Sequence, residues 1–240
     1  MSGTPGWVLI AGSTGLVGTA VAKAFASQGV NLVLHGGSQL DAAASLGSKL
    51  AEEFPVRCVP VTADVTSQTA LSAVRRHLEA AGVHQLDALV NCTSGYDGKP
   101  TDIDGLDAAA FRRVIDIDLV GSYLLVRTFL PLLRQADTAR VVLLSSLAGL
   151  RGRPAAPHLC AAKAGIAGLA LGLSRDLADV GIRVNVVAPG PVHPPDADPL
   201  PLPPGMPVSA PEEVAATVLM LAGTAPRIAG QVIVVNGGQP

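Results

Sequence analysis

The sequence has few aromatic residues, little charge and no long apolar run. Of its 240 residues, 3% are aromatic and 15% are charged, although 49% are hydrophobic. No apolar run reaches the roughly 18 residues that a membrane-spanning helix needs, so no membrane association is predicted. Small aliphatic residues and 26 glycines take the place of aromatics. We therefore expect helices that pack closely on a sheet, and a large subunit interface.

An excess of positive charge is also missing. The formal net charge is −2 and the sequence pI is near 6.2, so the chain has no basic surface of the kind that binds nucleic acid or acidic lipid. The first twelve residues carry no charged leader and run directly into a predicted strand. No signal peptide is predicted, and we expect a cytoplasmic protein.

Cysteine is scarce and scattered. Cys58, Cys92 and Cys160 are the three cysteines, and their spacing matches neither a disulfide framework nor a metal site. We interpret them as reduced core thiols, and no metal site is predicted. Cys160 stays a candidate reactive residue because it directly follows Leu159, a position that becomes important below.

Short β-branched runs alternate along the chain with longer amphipathic stretches. The runs are apolar almost throughout, which is typical of strands covered on both faces. This alternation predicts right-handed crossovers and a doubly wound, seven-stranded parallel sheet of the Rossmann type, in a single domain spanning residues 1–240. The predicted strands are 7–11, 31–35, 56–61, 86–91, 140–145, 182–187 and 231–236. The predicted helices are 16–28, 39–53, 67–81, 107–134, 158–180 and 211–223.

A proline-rich segment interrupts this alternation. Residues 189–211 contain ten prolines, and proline fixes φ and removes an amide donor, so the segment cannot be a regular helix. It follows a predicted strand at the sheet edge where doubly wound folds bind ligands. We expect an ordered lid over the site; a disordered linker is the alternative.

A glycine-rich turn follows the first predicted strand and opens the first helix. In "AGSTGLVG" (11–18), the glycines allow a tight turn, a close approach of backbone to a pyrophosphate, and close helix packing. The turn predicts a dinucleotide site; a turn that only packs is the alternative. Its predicted contacts are Gly12, Ser13, Thr14, Gly15, Leu16, Val17 and Gly18.

Several further segments, together with this turn, are similar to the short-chain dehydrogenase/reductase family, and most closely to its β-ketoacyl-carrier-protein reductases. They are "TADVTS" (62–67), "LVNCTSG" (89–95), "LLSSLAG" (143–149), "AAKAGIAGLALGLSRDLADVGIRVNVVAPGPV" (161–192) and "GQVIVVNGG" (230–238). The resemblance covers nearly the whole chain, although in 89–95 only Asn91 matches the family's Asn-Asn-Ala-Gly. It implies coenzyme contacts from Asp64, which would bond the adenine, and from Val65, Asn91, Lys163, Pro189, Gly190 and Val192.

The resemblance also implies a catalytic tetrad, of which this chain keeps two members. Ser146 stands thirteen residues before the family's tyrosine position, and Lys163 stands four after it. The tyrosine position itself is Leu159, and the family's asparagine position is Asp118. In the family, serine holds the substrate carbonyl, tyrosine donates a proton, and lysine binds the nicotinamide ribose and lowers the phenol pKa. Leucine cannot transfer a proton, and a positioned general acid typically contributes about 10²- to 10⁴-fold.

Other residues are candidates for the missing proton donor. His158 is adjacent in sequence, and the ordinary pKa of histidine, near 6.5, suits proton transfer, although neighbouring helix residues point about 100° apart. Tyr96, in the loop after the fourth strand, and His193, in the proline-rich segment, are alternatives. A surface or capping role remains open for all three.

Coenzyme preference is weakly encoded. The resemblance implies an acidic residue after the second strand in NAD-dependent members and a basic one in NADP-dependent members, but "HGGSQ" (35–39) has neither. The absence of an acid favours NADP slightly, with Ser38 as a possible phosphate partner. Leu16 also stands where many members have glycine, and Gly15 comes one place early, so the absence of any bound coenzyme stays open.

These observations support four hypotheses. The first is a non-catalytic or low-activity subunit that forms a homo- or hetero-oligomer with an active homologue. The second is an NADP-dependent ketoreductase for an acyl or polyketide substrate, carried by a carrier protein or free, with His158 or water as the acid. The third is a dehydratase or cyclase that reuses the pocket, and the fourth is a ligand-sensing or structural protein.

Overall fold

Seven parallel strands form one sheet in the computed structural model, which describes residues 6–194, 207–224 and 227–238. The strand order is β3-β2-β1-β4-β5-β6-β7, and each neighbouring pair is parallel. The predicted doubly wound sheet is therefore confirmed. The strands are β1 (Trp7–Ala11), β2 (Asn31–His35), β3 (Cys58–Val61), β4 (Ala88–Asn91), β5 (Arg140–Leu144), β6 (Arg183–Pro189) and β7 (Val232–Val235).

Helices cover both faces of this sheet, which explains why its strands are apolar almost throughout. Every residue of β1 and β2 is buried. None of the described helices is long and apolar enough to cross a membrane. The helices are α1 (Leu16–Ala26), α2 (Leu40–Glu53), α3 (Gln68–Ala80), α4 (Ala108–Val114), α5 (Gly121–Leu133), α6 (Leu147–Arg151), α7 (Pro157–Asp176) and α8 (Pro211–Leu219).

The two faces hold separate apolar cores. Helices α1, α2 and α8 pack on one face, where Phe25 of α1 is central. Helices α3, α5 and α7 pack on the other, where Phe129 of α5 is central. The chain changes face between β1 and β4, and a doubly wound sheet opens a ligand crevice at the carboxyl ends of the strands at such a point. The residues predicted to form the site follow these strand ends.

Three predicted helices are less regular than expected. The predicted helix 107–134 contains a π-helical segment, Ile115–Val120, between α4 and α5. The predicted helix 158–180 ends as α7 at Asp176, followed by the 3-10 turn Ala178–Val180. The predicted helix 211–223 ends in a second π-helical segment, Met220–Thr224. Apolar periodicity does not distinguish the hydrogen-bond patterns of α-, 3-10 and π-helices, and this is why the sequence did not reveal the changes.

Backbone hydrogen bonds join the two ends of the proline-rich segment. Val192 and Ser209 form a parallel bridge, in which the His193 N–H donates to the Ser209 carbonyl (3.0 Å) and the Ser209 N–H donates to the Pro191 carbonyl (2.9 Å). The two ends of the loop therefore meet beside β6. The larger part of the predicted lid, residues 195–206, lies outside the described residues.

Candidate active site

The glycine turn between β1 and α1 is built by direct backbone packing. Gly12 has φ +74°, and a Cβ atom there would lie 2.9 Å from the backbone carbonyl carbon of Cys92. A Cβ atom on Gly18 would collide with the Gly12 carbonyl. The buried Ser13 hydroxyl donates to the His35 carbonyl at the end of β2 (3.2 Å). These contacts hold the turn in a fixed shape at the carboxyl edge of the sheet.

The first turn of α1 is suited to bind an anion. Its N-cap residue, Gly15, makes no side-chain cap, and the first turn holds no acidic residue. Gly15 and Leu16 are both exposed. The first amides of a helix lack partners within the helix and attract negative charge. The turn therefore fits the pyrophosphate of a dinucleotide; of the predicted residues, Gly15 donates its amide to the Gly12 carbonyl (3.2 Å), while Thr14, Leu16, Val17 and Gly18 stay predicted contacts.

The residues predicted to contact the adenosine half lie at the ends of β2 and β3. Asp64 is exposed and accepts hydrogen bonds from the Thr66 N–H (2.8 Å) and hydroxyl (2.7 Å), which hold the pKa of the carboxyl below its usual range. Val65 is buried. Ser38 is exposed and follows Gly37, which has φ +62°. A cleft of about 460 Å³ adjoins Asp64 and is lined by Asp64, Thr66, Ala109, Arg112, Arg113, Asp116 and Ile117.

Asn91, at the end of β4, ties the sheet to the helix that carries Asp118. Its amide donates to the Ser122 hydroxyl (2.8 Å), and its carbonyl accepts from the N–H (3.0 Å) and hydroxyl (2.8 Å) of Thr93. The Ser122 hydroxyl in turn donates to the Asp118 carbonyl. In the structure Asn91 thus orients the loop after β4; a contact with coenzyme stays a prediction.

Asp118 is fully buried and makes an ion pair with Lys163. Its Oδ2 lies 2.9 Å from the Lys163 Nζ and accepts from the Ser94 hydroxyl (3.0 Å), while its Oδ1 accepts from the Gly95 N–H. The π-helical segment turns this side chain inward. Ser94 and Gly95 were not predicted as site residues. Their position directly after β4, at the edge where the strands end, is the feature that would have pointed to them.

Lys163 uses most of its donors inside the protein. Besides the Asp118 contact, its Nζ donates to the Leu144 carbonyl (3.1 Å), so two of three ammonium protons are engaged. Its own carbonyl accepts from the Ser145 hydroxyl (2.7 Å). A Cβ on Gly149 would lie 2.8 Å from the Lys163 Cβ, so α6 packs tightly against the base of this side chain.

The Cys92 thiol shares this neighbourhood. Burial raises its pKa to about 12, and the positive charge of Lys163 lowers it only in part. A thiol with so high a pKa stays protonated at neutral pH. Cys92 therefore supplies neither a nucleophile nor a charge to the site.

Ser146 begins α6 rather than projecting freely. Its hydroxyl accepts from the Ala148 N–H (3.2 Å) as an N-cap and makes a long contact with the Pro189 carbonyl (3.4 Å). The sequence did not predict α6. The Gly190 N–H donates to the Val235 carbonyl (2.8 Å), which fixes the turn after β6 beside Ser146. Pro189, Gly190 and Val192 lie at and after the end of β6; their contact with a nicotinamide stays a prediction.

Leu159 lies in a small apolar cluster of its own. It is 5% exposed and packs with Ala148 and Ala156, and with the partly buried Tyr96 and Cys160. The cluster places Leu159 beside α6, the helix that Ser146 caps, and one helical turn from Lys163. An aliphatic side chain here makes the wall of the pocket dry.

Two polar side chains border this cluster without hydrogen bonds to the described residues. The Tyr96 and His158 rings are in edge contact, with centroids 5.4 Å apart. The Tyr96 hydroxyl and the His158 Nδ1 are buried and have no hydrogen-bond partner among the described residues. The Arg153 guanidinium lies 5.6 Å from the centre of the Tyr96 ring. His193, the third predicted candidate, lies instead at the start of the proline-rich loop.

Comparison with known proteins agrees with this geometry. The family model described as enoyl-(acyl carrier protein) reductase matches residues 11–239. An uncharacterised oxidoreductase of Bacillus subtilis, YmfI, is 32% identical over 96% of this chain and 97% of its own length. The 3-oxoacyl-[acyl-carrier-protein] reductase FabG of Rickettsia felis is 31% identical over 96% and 95%.

Solved structures give the same result. A 3-oxoacyl-[acyl-carrier protein] reductase from Brucella melitensis with bound NAD has a TM-score of 0.86 and 29% identity, over 99% of this chain and 92% of that one. A protein from Burkholderia xenovorans, described as a short-chain dehydrogenase/reductase, has a TM-score of 0.86 and 30% identity, over 99% and 98%. The chain belongs to the short-chain dehydrogenase/reductase family and is similar to its ketoacyl-carrier-protein reductases.

Proposed function

We propose that this protein is a non-catalytic or low-activity member of its family, which assembles with an active homologue. One observation carries the proposal: the buried ion pair between Lys163 and Asp118, 2.9 Å apart, next to an apolar Leu159. The pair neutralises the cation, and the leucine removes the acid. Both changes act on the same step, the delivery of a proton to a reduced carbonyl.

A bound nicotinamide coenzyme would supply or accept a hydride. The chain must then stabilise the negative charge that develops on the carbonyl oxygen and protonate it. Ser146 offers a hydroxyl for this oxygen, and the Pro189 carbonyl, 3.4 Å from the Ser146 Oγ, competes only weakly for the same hydrogen. Leu159 offers no proton. Because the positive charge of Lys163 is balanced by Asp118, its stabilisation of an oxyanion is weak. Hydride transfer without a proton source is slow.

Coenzyme binding itself is compatible with the site. Backbone amides of the α1 turn would hold the pyrophosphate. Asp64 and Val65 would contact the adenine, and the ammonium proton of Lys163 that has no protein acceptor would bond a ribose hydroxyl. The loop 35–39 holds no carboxylate, so it does not repel a 2′-phosphate, and exposed Ser38 can donate to one. NADP is favoured over NAD for that reason, although no cation of this loop adds to the preference.

Exposed apolar residues on α5 and α7 support the assembly. Tyr123 on α5 is 39% exposed and Leu171 on α7 is 52% exposed. On α7, Cβ atoms on Gly168 and Gly172 would meet no atom within 4 Å. This part of the helix surface therefore has no projecting side chains at these positions and leaves room for a second helix. Small residues let helices approach closely, and a stable interface needs more than about 1,000 Å².

A second candidate function is a ketoreductase with a relocated proton source. The specific observation is the pair of buried polar atoms beside Leu159, the Tyr96 hydroxyl and the His158 Nδ1, which lack hydrogen-bond partners among the described residues. A phenol reaching the pocket from the loop after β4 would replace the one missing from α7. This alternative predicts activity in the isolated chain.

One experiment separates the two. Purified protein is titrated with NADPH and NADH, and turnover is then followed with a β-ketoacyl thioester, alone and with its cognate reductase. The proposal expects coenzyme binding, turnover at background when alone, and a stable hetero-oligomer. NAD(P)H-dependent turnover by the isolated chain, abolished in Tyr96→Phe, would establish the alternative instead. Turnover that persists in both Tyr96→Phe and His158→Ala would overturn the first proposal and leave water as the acid of the second.

A further inference from the structure

We infer that Tyr96, His158 and Arg153 form a recognition wall for a small anionic ligand that carries a carboxylate and a nearby carbonyl or hydroxyl oxygen. The inference takes the location of the pocket from the proposed function and adds the class of ligand. None of the three residues is a tetrad position, although His158 directly precedes Leu159 on α7. They come from two parts of the chain, the loop after β4 and the region from α6 to α7.

The inner part of the wall consists of two polar atoms without protein partners. The His158 side chain is 5% exposed, and its Nδ1 and the Tyr96 hydroxyl lack hydrogen bonds among the described residues. Burying such groups without partners is unfavourable, and native proteins normally satisfy them. Their rings are in edge contact, with centroids 5.4 Å apart and planes at 61°, so a ligand that separates the rings meets a polar side chain on each side.

The outer part of the wall is cationic. The Arg153 guanidinium lies above the Tyr96 ring, 5.6 Å from its centre, and is exposed. Among the described residues, no carboxylate lies within 4 Å of it. The Cys160 thiol lies 3.2 Å from the Arg153 backbone N–H, which anchors this residue at the start of α7. A planar guanidinium with free donors binds a carboxylate with two parallel hydrogen bonds.

The rest of the surroundings limits the ligand to a small one. Leu159, Ala148 and Ala156 pack beside Tyr96 with apolar side chains. The nearby ion pair of Lys163 and Asp118 is neutral overall, so it does not compete for the anion. Tyr96 stands in an irregular loop, and its ring lies against the His158 ring. A ligand therefore enters between the two rings when this loop moves, while His158 stays fixed on α7.

The test uses the two tyrosines of the chain, Tyr96 and Tyr123. Tyr123 is a matched control, because it also lies beside an arginine, Arg127. Its hydroxyl, however, accepts a hydrogen bond from the Arg127 guanidinium (2.7 Å). Protein labelled with ¹³C-tyrosine gives one set of ring signals per residue, assigned with Tyr123→Phe. Acetoacetate and its neutral analogue acetoacetamide are titrated to about 10 mM, a range that detects millimolar Kd values.

We expect acetoacetate to shift the Tyr96 signals and not those of Tyr123. Acetoacetamide should bind at least about tenfold more weakly, because it lacks the charge that strengthens the bond to arginine. Arg153→Gln should remove this difference, whereas Arg127→Gln should preserve it. His158→Phe, which keeps a ring but no nitrogen, should weaken both probes.

Three results would overturn the inference: unchanged Tyr96 signals, equal affinity for the two probes, or an Arg153→Gln protein that still prefers acetoacetate. The outcome is independent of the proposed function. Binding is measured without reduced coenzyme, so a chain that binds acetoacetate without reducing it satisfies both. A chain that binds and also reduces it contradicts only the lack of catalysis.

Discussion

Lys163 and Asp118 make the one buried ion pair among the described residues, with Nζ and Oδ2 2.9 Å apart and side chains 6% and 0% exposed. The other ion pairs are more exposed. Burying an ion pair removes both charges from water, which is unfavourable. The buried carboxylate therefore needs further hydrogen-bond donors to replace its lost water contacts. Asp118 has such donors, in Ser94 and Gly95. Lys163 is thereby half of a neutral pair.

Removing the charge of Asp118 should destabilise the protein. Asp118→Asn leaves the Lys163 ammonium buried without its counter-ion, and breaking a buried pair in this way costs about 3 kcal/mol. Urea unfolding measures the change. The control is Glu53→Gln, which breaks the exposed pair of Lys23 and Glu53 (3.2 Å, 62% and 53% exposed) and should cost less than about 1 kcal/mol. Equal losses in the two variants would show that Lys163 does not depend on Asp118.

Restoring the phenol should be insufficient by itself. Leu159→Tyr places a hydroxyl one turn before Lys163, but the cation that would lower the phenol pKa is already balanced by Asp118. We expect a small gain in NADPH oxidation with a β-ketoacyl thioester, and a gain at least about tenfold larger in Leu159→Tyr/Asp118→Asn. Leu159→Phe, with the ring but no hydroxyl, is the control. If it equals Leu159→Tyr, proton donation is not what the site lacks.

Alkaline pH should destabilise the protein through Cys92. Its pKa is raised by burial from near 9 to about 12, so between these values the folded state keeps a proton that the unfolded state releases. The free energy of unfolding therefore falls as pH rises from about 9 towards 12. Unfolding at pH 8 and at about pH 10.5 measures this, and Cys92→Ala should lose less stability than the unmutated protein over the interval.

Thiol labelling provides an independent check on Cys92. At pH 8 a thiol of this pKa is almost entirely protonated, so iodoacetamide should leave Cys92 unmodified in native protein and modify it after unfolding in urea. Rapid modification of Cys92 in the native state would contradict the burial of its thiol.

A charge on α7 should prevent assembly. Leu171→Lys places a cation in the middle of the exposed apolar part of this helix, where its desolvation opposes association. Light scattering should show smaller species, alone and with an active homologue. Leu40→Lys on α2 is the control, since Leu40 is similarly exposed, at 46%, but lies on the other face of the sheet. Loss of assembly in both variants would point to a general loss of solubility.

The sequence predicted the sheet well because strands that are buried on both faces must be almost entirely apolar. Such apolar runs can be identified directly in the sequence. All seven strands lie where predicted, within about two residues. The π-helical segments were not predicted, since one additional residue in a helical turn leaves the apolar periodicity almost intact. Helix α6 was missed because its five residues are too short for a periodic pattern. The roles of the predicted coenzyme contacts stay predictions.

At the candidate site, the sequence indicated residues of interest but not the hydrogen bonds and ion pairs that they form. In the structure Ser146 begins α6, and Leu159 and Lys163 lie one turn apart on α7; their roles stay predictions. The interaction of Asp118 with Lys163 was not foreseen, because these residues are 45 positions apart and no local pattern links them. The contact between Tyr96 and His158 is likewise long-range, and only the packing of a loop against α7 brings it about.

The π-helical segment Ile115–Val120 acts as an inserted residue between two helices that each pack independently. Deleting one residue there would turn α5 by about 100° relative to α4, so Phe129 would leave the core while Asp118 left Lys163. The position of residue 118 is thus fixed by backbone hydrogen bonding, whichever side chain stands there. Carboxylate and amide can therefore be exchanged at residue 118 without a change of fold, and such an exchange acts on the charge beside Lys163 rather than on the backbone.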